Sequence, residues 1–283
     1  MASMVLAIVL ASACPAADGP GSARCGQGML HIQTGQYSVK VFENVAWTMR
    51  DVDYAGRKLL VPIGWQQSVL RVNAPEGEDP WIGTGHGREE VESVQVIADG
   101  TAHDLREGLE VTGERFTVRK KSWLGPYHHT SDVTIGPDGF HEEFSYSVEK
   151  DTSQVKFLYV FMHCFTNDTE TWIAGLPDGE EMRGTFKDDM SFSLKRDVRW
   201  VMLYAPSTEI GAVYAFPEVY ASRNSEGNML WNRDRDNKLY FQVAPSTTIG
   251  DSFSYSVRLR AFTAGEAEWE AVARGILESL LEE

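Results

Sequence analysis

Four stretches of the chain bring residues that can do chemistry close together. The first is Trp81-Ile82-Gly83-Thr84-Gly85-His86-Gly87-Arg88-Glu89-Glu90, where three glycines surround a histidine and an arginine follows. Glycine accepts positive φ and lets a ligand approach the backbone, imidazole exchanges a proton near neutral pH, and guanidinium grips a carboxylate through two hydrogen bonds. It is not a phosphate loop, because the GxxxxGK spacing and a following helical pattern are both missing. The second stretch is Leu158–Phe165, whose alternation sets Tyr159, Phe161, His163 and Phe165 on one side and Leu158, Val160, Met162 and Cys164 on the other. Aromatic faces stack on pyranose C–H surfaces and imidazole moves protons, so this pattern places His163 in a sugar cleft and makes the aliphatic side the core.

The third stretch follows the basic run Arg119-Lys120-Lys121 with Tyr127-His128-His129. Adjacent histidines in a strand point to opposite faces, so at most one of them can join a given site, and no further ligand stands at metal-site spacing. The fourth, Trp231-Asn232-Arg233-Asp234-Arg235-Asp236-Asn237-Lys238, sets three cations beside an indole. Such a group can hold a uronate carboxylate above a stacking surface, or the alternating Arg and Asp can pair with one another.

Several activities lack the residues they need. There is no GxSxG elbow, no HExxH and no dinucleotide fingerprint between a strand and a helix. Asp and Glu number 41 against 26 Lys and Arg, and the resulting charge of -15 repels nucleic acid and anionic membranes. Hydrophobic residues make up 42% of the chain, which excludes intrinsic disorder.

The elements that must position these groups are strands. From Leu30 onward, short alternating segments are separated by turn signals at Gly35, Ala55-Gly56, Asp99-Gly100, Gly125-Pro126 and Pro137-Asp138-Gly139. About a dozen such strands with no helix between them specify an antiparallel all-β sandwich. Only the end of the chain changes period: Trp269, Val272, Ala273, Ile276, Leu277 and Leu280 form one apolar stripe, which predicts an amphipathic helix over 265–282 docked on the sandwich. Residues 24–283 are therefore expected to form a single domain.

Residues 1–23 read as a leader. Met4 to Ala13 is a short apolar run ending in small residues, followed by the flexible PAADGPGSA, an order that predicts a signal peptide and export to a secreted, periplasmic or cell-surface location. It is too short to span a bilayer. Cys14 sits where a bacterial lipoprotein signal carries its lipid, although Leu10 is one place too far upstream, so a lipid anchor at Cys14 is the secondary expectation. Cys14 can pair with Cys25 in an oxidising compartment, whereas Cys164 is expected as a buried thiol.

The order of segments resembles the galactose mutarotase-like super-sandwich, the fold of aldose 1-epimerases and of domains in polysaccharide lyases. The carriers are YSVKVFENVAWTMRDVDYAGRKLL, IGTGHGREEVESVQVIADG, LYVFMHCFTND and KLYFQVAPSTTIGDSFSYSVRLRAF, and the likeness covers most of residues 29–263. It implies a general-acid role for His163. The epimerases carry a glutamate base in the closing strand, where this chain has Gln242, and a neutral amide there points away from simple mutarotation.

These readings converge on a carbohydrate-active protein without metal or cofactor. The expected catalytic residues are His163, His86 and Tyr127, with Arg88, Trp81, Trp231, Arg233 and Lys238 binding substrate. β-Elimination on a uronic-acid glycan ranks first, because it needs a cation, a base and an acid and no carboxylate pair. An aldose 1-epimerase and a non-catalytic carbohydrate-binding module are the alternatives.

Overall fold

The computed structural model describes residues 19–62, 67–83, 85–217, 228–243 and 245–283. Its turns follow from neighbouring residues. Asp99 and Gly100 both take positive φ, 46° and 85°, and join Ala98 to Thr101 across a two-residue hairpin. Ala55-Gly56 likewise joins Tyr54 to Arg57, and Gly125-Pro126 joins Leu124 to Tyr127. At Gly139, φ is 137° and an added Cβ would lie 2.2 Å from the Leu259 carbonyl oxygen, so only glycine lets this turn enter the sheet.

The strands form two antiparallel sheets, one of 12 strands and one of 10. The larger sheet runs from Glu110–Gly113 through the first five strands of the chain to Val155–Phe165, Asn237–Val243, Asn228–Trp231 and the edge strand Phe192–Arg196. The short strands Val69–Val72 and Trp81–Gly83 branch from it beside Val155–Phe165. The smaller sheet centres on Ser252–Thr263, Gly139–Val148, Tyr127–Gly136 and Phe116–Leu124. Between the sheets lies the main core, with Phe116, Phe144, Phe161, Phe165 and Phe241 buried completely or nearly so. The chain is thus an all-β sandwich.

Helix Trp269–Glu282 covers the outer face of the smaller sheet, burying Trp269, Ala273, Leu277 and Leu280 against Met202, Tyr204, Val213 and Phe262. The Trp269 and Tyr204 rings stack at 5.0 Å and 4°. No helix among the described residues is long and apolar enough to cross a membrane. The amino-terminal boundary differs from the sequence expectation. Gly21–Gly26 is already a strand paired on both sides, and Ala23 within it is fully buried, so Gly21 to Ala23 belong to the sheet and not to a flexible lead-in. The proposed leader core and Cys14 lie outside the described residues.

The core contains a polar island on the inner face of the smaller sheet. Lys120, Ser122, His129 and Ser131 all point inward, because they occupy the same parity of their strands as Val118, Leu124 and Val133. The Lys120 ammonium lies 2.8 Å from Glu89 Oε1, Ser122 Oγ donates to the same oxygen at 2.7 Å, and His129 Nδ1 is 3.9 Å from it. Burial opposes the Glu89 charge, but the Lys120 ammonium, its hydrogen bond and that of Ser122 act together with the nearby His129 and hold the carboxyl below its usual range. Burial also pushes the His129 imidazole down to about 3, so it is neutral and its ring stacks on Tyr146 at 4.7 Å. His129 and His128 do face opposite ways, His128 reaching out to Glu92 at 2.8 Å.

This island makes the fold acid-sensitive. An unfolded chain protonates His129 below about pH 6.5, while the folded chain resists until about 3, so stability is lost as pH falls through that window. Denaturant titrations should show His129 alone removing about 2 kcal/mol at pH 5 relative to pH 8. The His129→Gln variant should show a correspondingly shallower decline.

Candidate functional site

One extra residue in Val155–Phe165 decides which side chains meet. Tyr159 stands opposite Gln242 and Phe161 opposite Phe241, so Val160 is inserted as a bulge. The bulge reverses the alternation on one side of it. Phe161, His163 and Phe165 face the other sheet, while Tyr159 joins Met162 and Cys164 on the outer face. The expected grouping of Tyr159 with His163 is therefore corrected, and of the aliphatic side expected to be core Leu158 and Val160 do lie in it, while Met162 and Cys164 turn outward.

On that outer face Val69, Met162, Cys164 and Tyr240 form a small apolar floor with Val61, Trp81, Tyr159 and Trp231 packed around it. Register explains the assembly. Cys164, Met162 and Tyr159 lie opposite Lys238, Tyr240 and Gln242, and Trp231 lies opposite Lys238. The Tyr159 and Tyr240 rings meet edge-on at 4.9 Å, and Tyr240 meets Trp231 at 6.2 Å. A band of aromatic rings thus crosses the sheet from Trp81 to Trp231.

The Trp81 end carries the polar chemistry. Its indole has the Tyr159 ring near-parallel at 5.6 Å, the His86 ring near-parallel at 5.7 Å and the Arg71 guanidinium 4.8 Å from its centre. Arg71 reaches this position because Val69–Val72 pairs with both Trp81–Gly83 and Val155–Phe165, placing Arg71 opposite Trp81 and Phe157. The glycine-rich segment folds back on itself, with His86 N–H donating to the Gly83 carbonyl and Gly83 N–H to that of Gly87. Gly83 is obligatory, since φ is 106° and a Cβ would lie 2.7 Å from both Ser68 O and Leu124 Cδ1. Asp79 ties the segment together, its Oδ1 accepting from Trp81 N–H at 3.0 Å and its Oδ2 lying 3.3 Å from His86 Nδ1.

Other expected residues lie elsewhere. Arg88 is exposed, but its guanidinium donates to the backbone carbonyls of Asp79 and Trp81, so it clamps the loop rather than reaching toward substrate. At the Trp231 end, Arg233 stacks over the indole at 4.8 Å and lies 3.6 Å from Asp236. Lys238 shares this face but is buried against Asp236 at 3.8 Å, which corrects its assignment as a substrate contact. Phe192 covers Trp231 at 5.5 Å. Tyr127 is fully enclosed in the main core with Tyr146 and Phe253, and its hydroxyl donates to Ser246 O. It meets neither His163 nor His86.

His163 is wholly buried. Its Nδ1 is 2.7 Å from the Tyr214 hydroxyl, and its Nε2 approaches Glu142 Oε1 to 2.9 Å without the N–H being aligned for a hydrogen bond. Glu142 is equally buried, and neither of its oxygens receives an aligned donor among the described residues. His163 thus lies against a core carboxyl group and does not face a cleft. Nor do three His, Cys, Asp or Glu side chains gather anywhere among the described residues in an arrangement able to hold a metal ion. Sequence reasoning missed Arg71, whose one signal is its position as a lone cation inside the apolar strand VLRV.

No protein-family model and no curated protein sequence matches the chain. Solved structures do. An α-N-acetylgalactosaminidase from Bifidobacterium bifidum superposes with a TM-score of 0.53 at 9% identity, over 89% of this chain and 38% of that one. A galactose mutarotase-like protein from Lactobacillus casei ATCC 334 gives 0.49 at 8% identity, over 83% of this chain and 100% of that one. A heparan sulfate lyase from Pedobacter heparinus gives 0.47 at 8% identity, over 86% of this chain and 37% of that one. The matches include the type of structure that the order of segments implies, and at these identities the likeness is one of fold.

The burial of His163 sets its expected mutational behaviour. His163→Ala strands the Glu142 carboxylate and should remove about 3–5 kcal/mol of stability in urea titrations. Adding Glu142→Gln to His163→Gln should recover part of the loss seen in the latter alone. Ligand affinity of the folded variants should be unchanged, because the side chain lies on the far side of the sheet.

Proposed function

We propose that this protein acts on a uronic-acid-containing glycan by β-elimination at the outer face of its larger sheet. The observation that carries this reading is the convergence of Arg71, His86 and Tyr159 on the single indole of Trp81, within 4.8 to 5.7 Å of its centre. Elimination needs a cation for the uronate carboxylate, a base for the proton on the adjacent ring carbon and an acid for the departing glycosidic oxygen. The three side chains are of those three kinds.

In this reading the Arg71 guanidinium binds the carboxylate and stabilises the charge that gathers on it as the carbon acid loses its proton. Asp79 accepts from His86 Nδ1 and so favours the tautomer whose Nε2 is basic. That nitrogen takes the proton. The electron pair left on carbon forms the ring double bond, the bond to the glycosidic oxygen breaks, and Tyr159 protonates that oxygen. Beyond the buried Tyr240 floor, the half-buried Trp231 continues the face and suits a further sugar unit along the chain, with Arg233 as a second cation for an alternating uronate.

The cationic site works against the field of the whole chain. A charge of -15 slows the approach of a polyanion, and the local guanidinium groups act only at close range.

Incubation with a panel of uronate polymers, followed by the absorbance of unsaturated uronate, tests the reading. Arg71→Ala, His86→Ala and Tyr159→Phe should each lower turnover ~100-fold or more with little change in stability. Moderate salt should quicken the encounter step. Binding without unsaturated product across the whole panel would leave a non-catalytic carbohydrate-binding protein, and enzyme-dependent mutarotation of free hexose would replace the lyase reading altogether.

A further inference from the structure

The glycine-rich segment has a second side. Away from the Trp81 face, Gly83, Gly85 and Gly87 line a cavity of about 470 Å³, whose opposite wall is the connection Glu43 to Trp47 between two strands of the larger sheet. Both walls are backbone in the left-handed region: Ala46 and Trp47 have φ of 58° and 51°, and the three glycines 106°, 74° and 73°. Such conformations cost energy at the two non-glycine residues, and here they turn the Glu43 to Trp47 connection across the mouth of the sandwich. Lys120 reinforces this wall by donating to the Ala46 carbonyl at 3.0 Å.

The cavity has a definite chemical character. Trp47 is half-buried, packs against the main core and lines the space, and among the described residues no aromatic ring or cation lies over its indole. Glu89 lines it too, with a side chain only 2% exposed. The contacts of Glu89 with Lys120, Ser122 and His129 all fall on Oε1, which leaves Oε2 outside them. Glu43 stands exposed on the rim and Asn44 beside it. No lysine or arginine lines the space among the described residues.

We propose that this cleft is a second binding site, separate from the aromatic band, for a small organic ammonium ion. An indole face and the rim carboxylate of Glu43 attract a cation, Glu89 adds an acceptor oxygen beside its own pair with Lys120, and the volume accommodates an ion of modest size. The ammonium lies over Trp47 and against Glu89 Oε2. Polar substituents find Asn44 and the backbone of the glycine segment, where the absence of side chains permits close approach. An anion is disfavoured, because Lys120, the nearest cation, is already committed to Glu89 and Ala46. The glycine-rich segment then serves two ligands of opposite charge, an anionic sugar on its His86 side and a cation on the other.

Choline and its uncharged carbon isostere are suitable probes, read by the indole N–H signals in heteronuclear NMR, with Trp47 assigned from Trp47→Leu. Choline should shift the Trp47 signal and saturate, and the isostere should bind about tenfold or more weakly, since it has the shape without the charge. Trp47→Leu should lower choline affinity, followed by calorimetry, by a similar factor. Glu43→Gln, at an exposed position that leaves folding intact, should weaken binding several-fold at low salt and little at high salt. The proposal is overturned if choline leaves the Trp47 signal unmoved, if the isostere binds as tightly, or if Trp47→Leu, shown by circular dichroism to be folded, binds choline as the parent does.

Discussion

The inserted Val160 is the constraint on which the arrangement of this molecule turns. A strand buried on both faces can present either set of its side chains to the other sheet, and nothing in its hydrophobicity chooses between them. With one extra residue, Phe161, His163 and Phe165 go to the core while Tyr159 goes to the outer face. The closing strand Asn237–Val243 is buried along its whole length for the same reason, Leu239 and Phe241 filling the sandwich and Tyr240 the outer floor. Without the bulge Tyr159 would point at the opposite sheet, and the rings around Trp81 would not come together.

Between the sheets two clusters set a buried carboxyl group against a basic partner. Glu89 is held by Lys120 with Ser122 alongside, and Glu142 by His163 with Tyr214 behind it. Burying such groups contributes little net stability compared with apolar packing, but removing one partner leaves the other stranded, so each cluster tolerates one arrangement of neighbours. The Glu89 cluster also joins the sheets. Lys120 comes from the smaller sheet and donates to Ala46, which belongs to a connection in the larger. Packing and electrostatics together fix the mouth of the sandwich where the glycine-rich segment crosses from one sheet to the other.

That segment is braced by local contacts among its described residues. Asp79, Arg88 and the backbone bonds of Gly83 and His86 hold it closed, so His86 is presented from a braced loop and not from a free one. Bracing matters because a group that must meet a reacting atom loses little entropy on binding when it is already in position. Arg88 thereby serves the outer face indirectly, and Arg71, projecting from a strand, supplies the cation there.

Neighbour-to-neighbour rules were enough for part of this. The turn residues marked the hairpins, because Gly100 and Gly56 accept positive φ without cost and Asp99 tolerates it, and the 3.6 period from Trp269 to Leu280 determined the helix and its buried stripe. The glycine-rich segment and the indoles of Trp81 and Trp231 were legible as chemistry for the same reason: residue types and spacing are local facts. Which groups meet was decided only by tertiary structure. A period of two tells which residues share a face but not which face is outside when both are apolar, and a bulge leaves no mark in composition. Burial decided the rest. His163, Tyr127 and Lys238 carry groups able to act on a ligand, and enclosure turned each toward a partner inside the protein, while Arg71 and Glu89, unremarkable in sequence, were brought to the two faces of one loop by strand register.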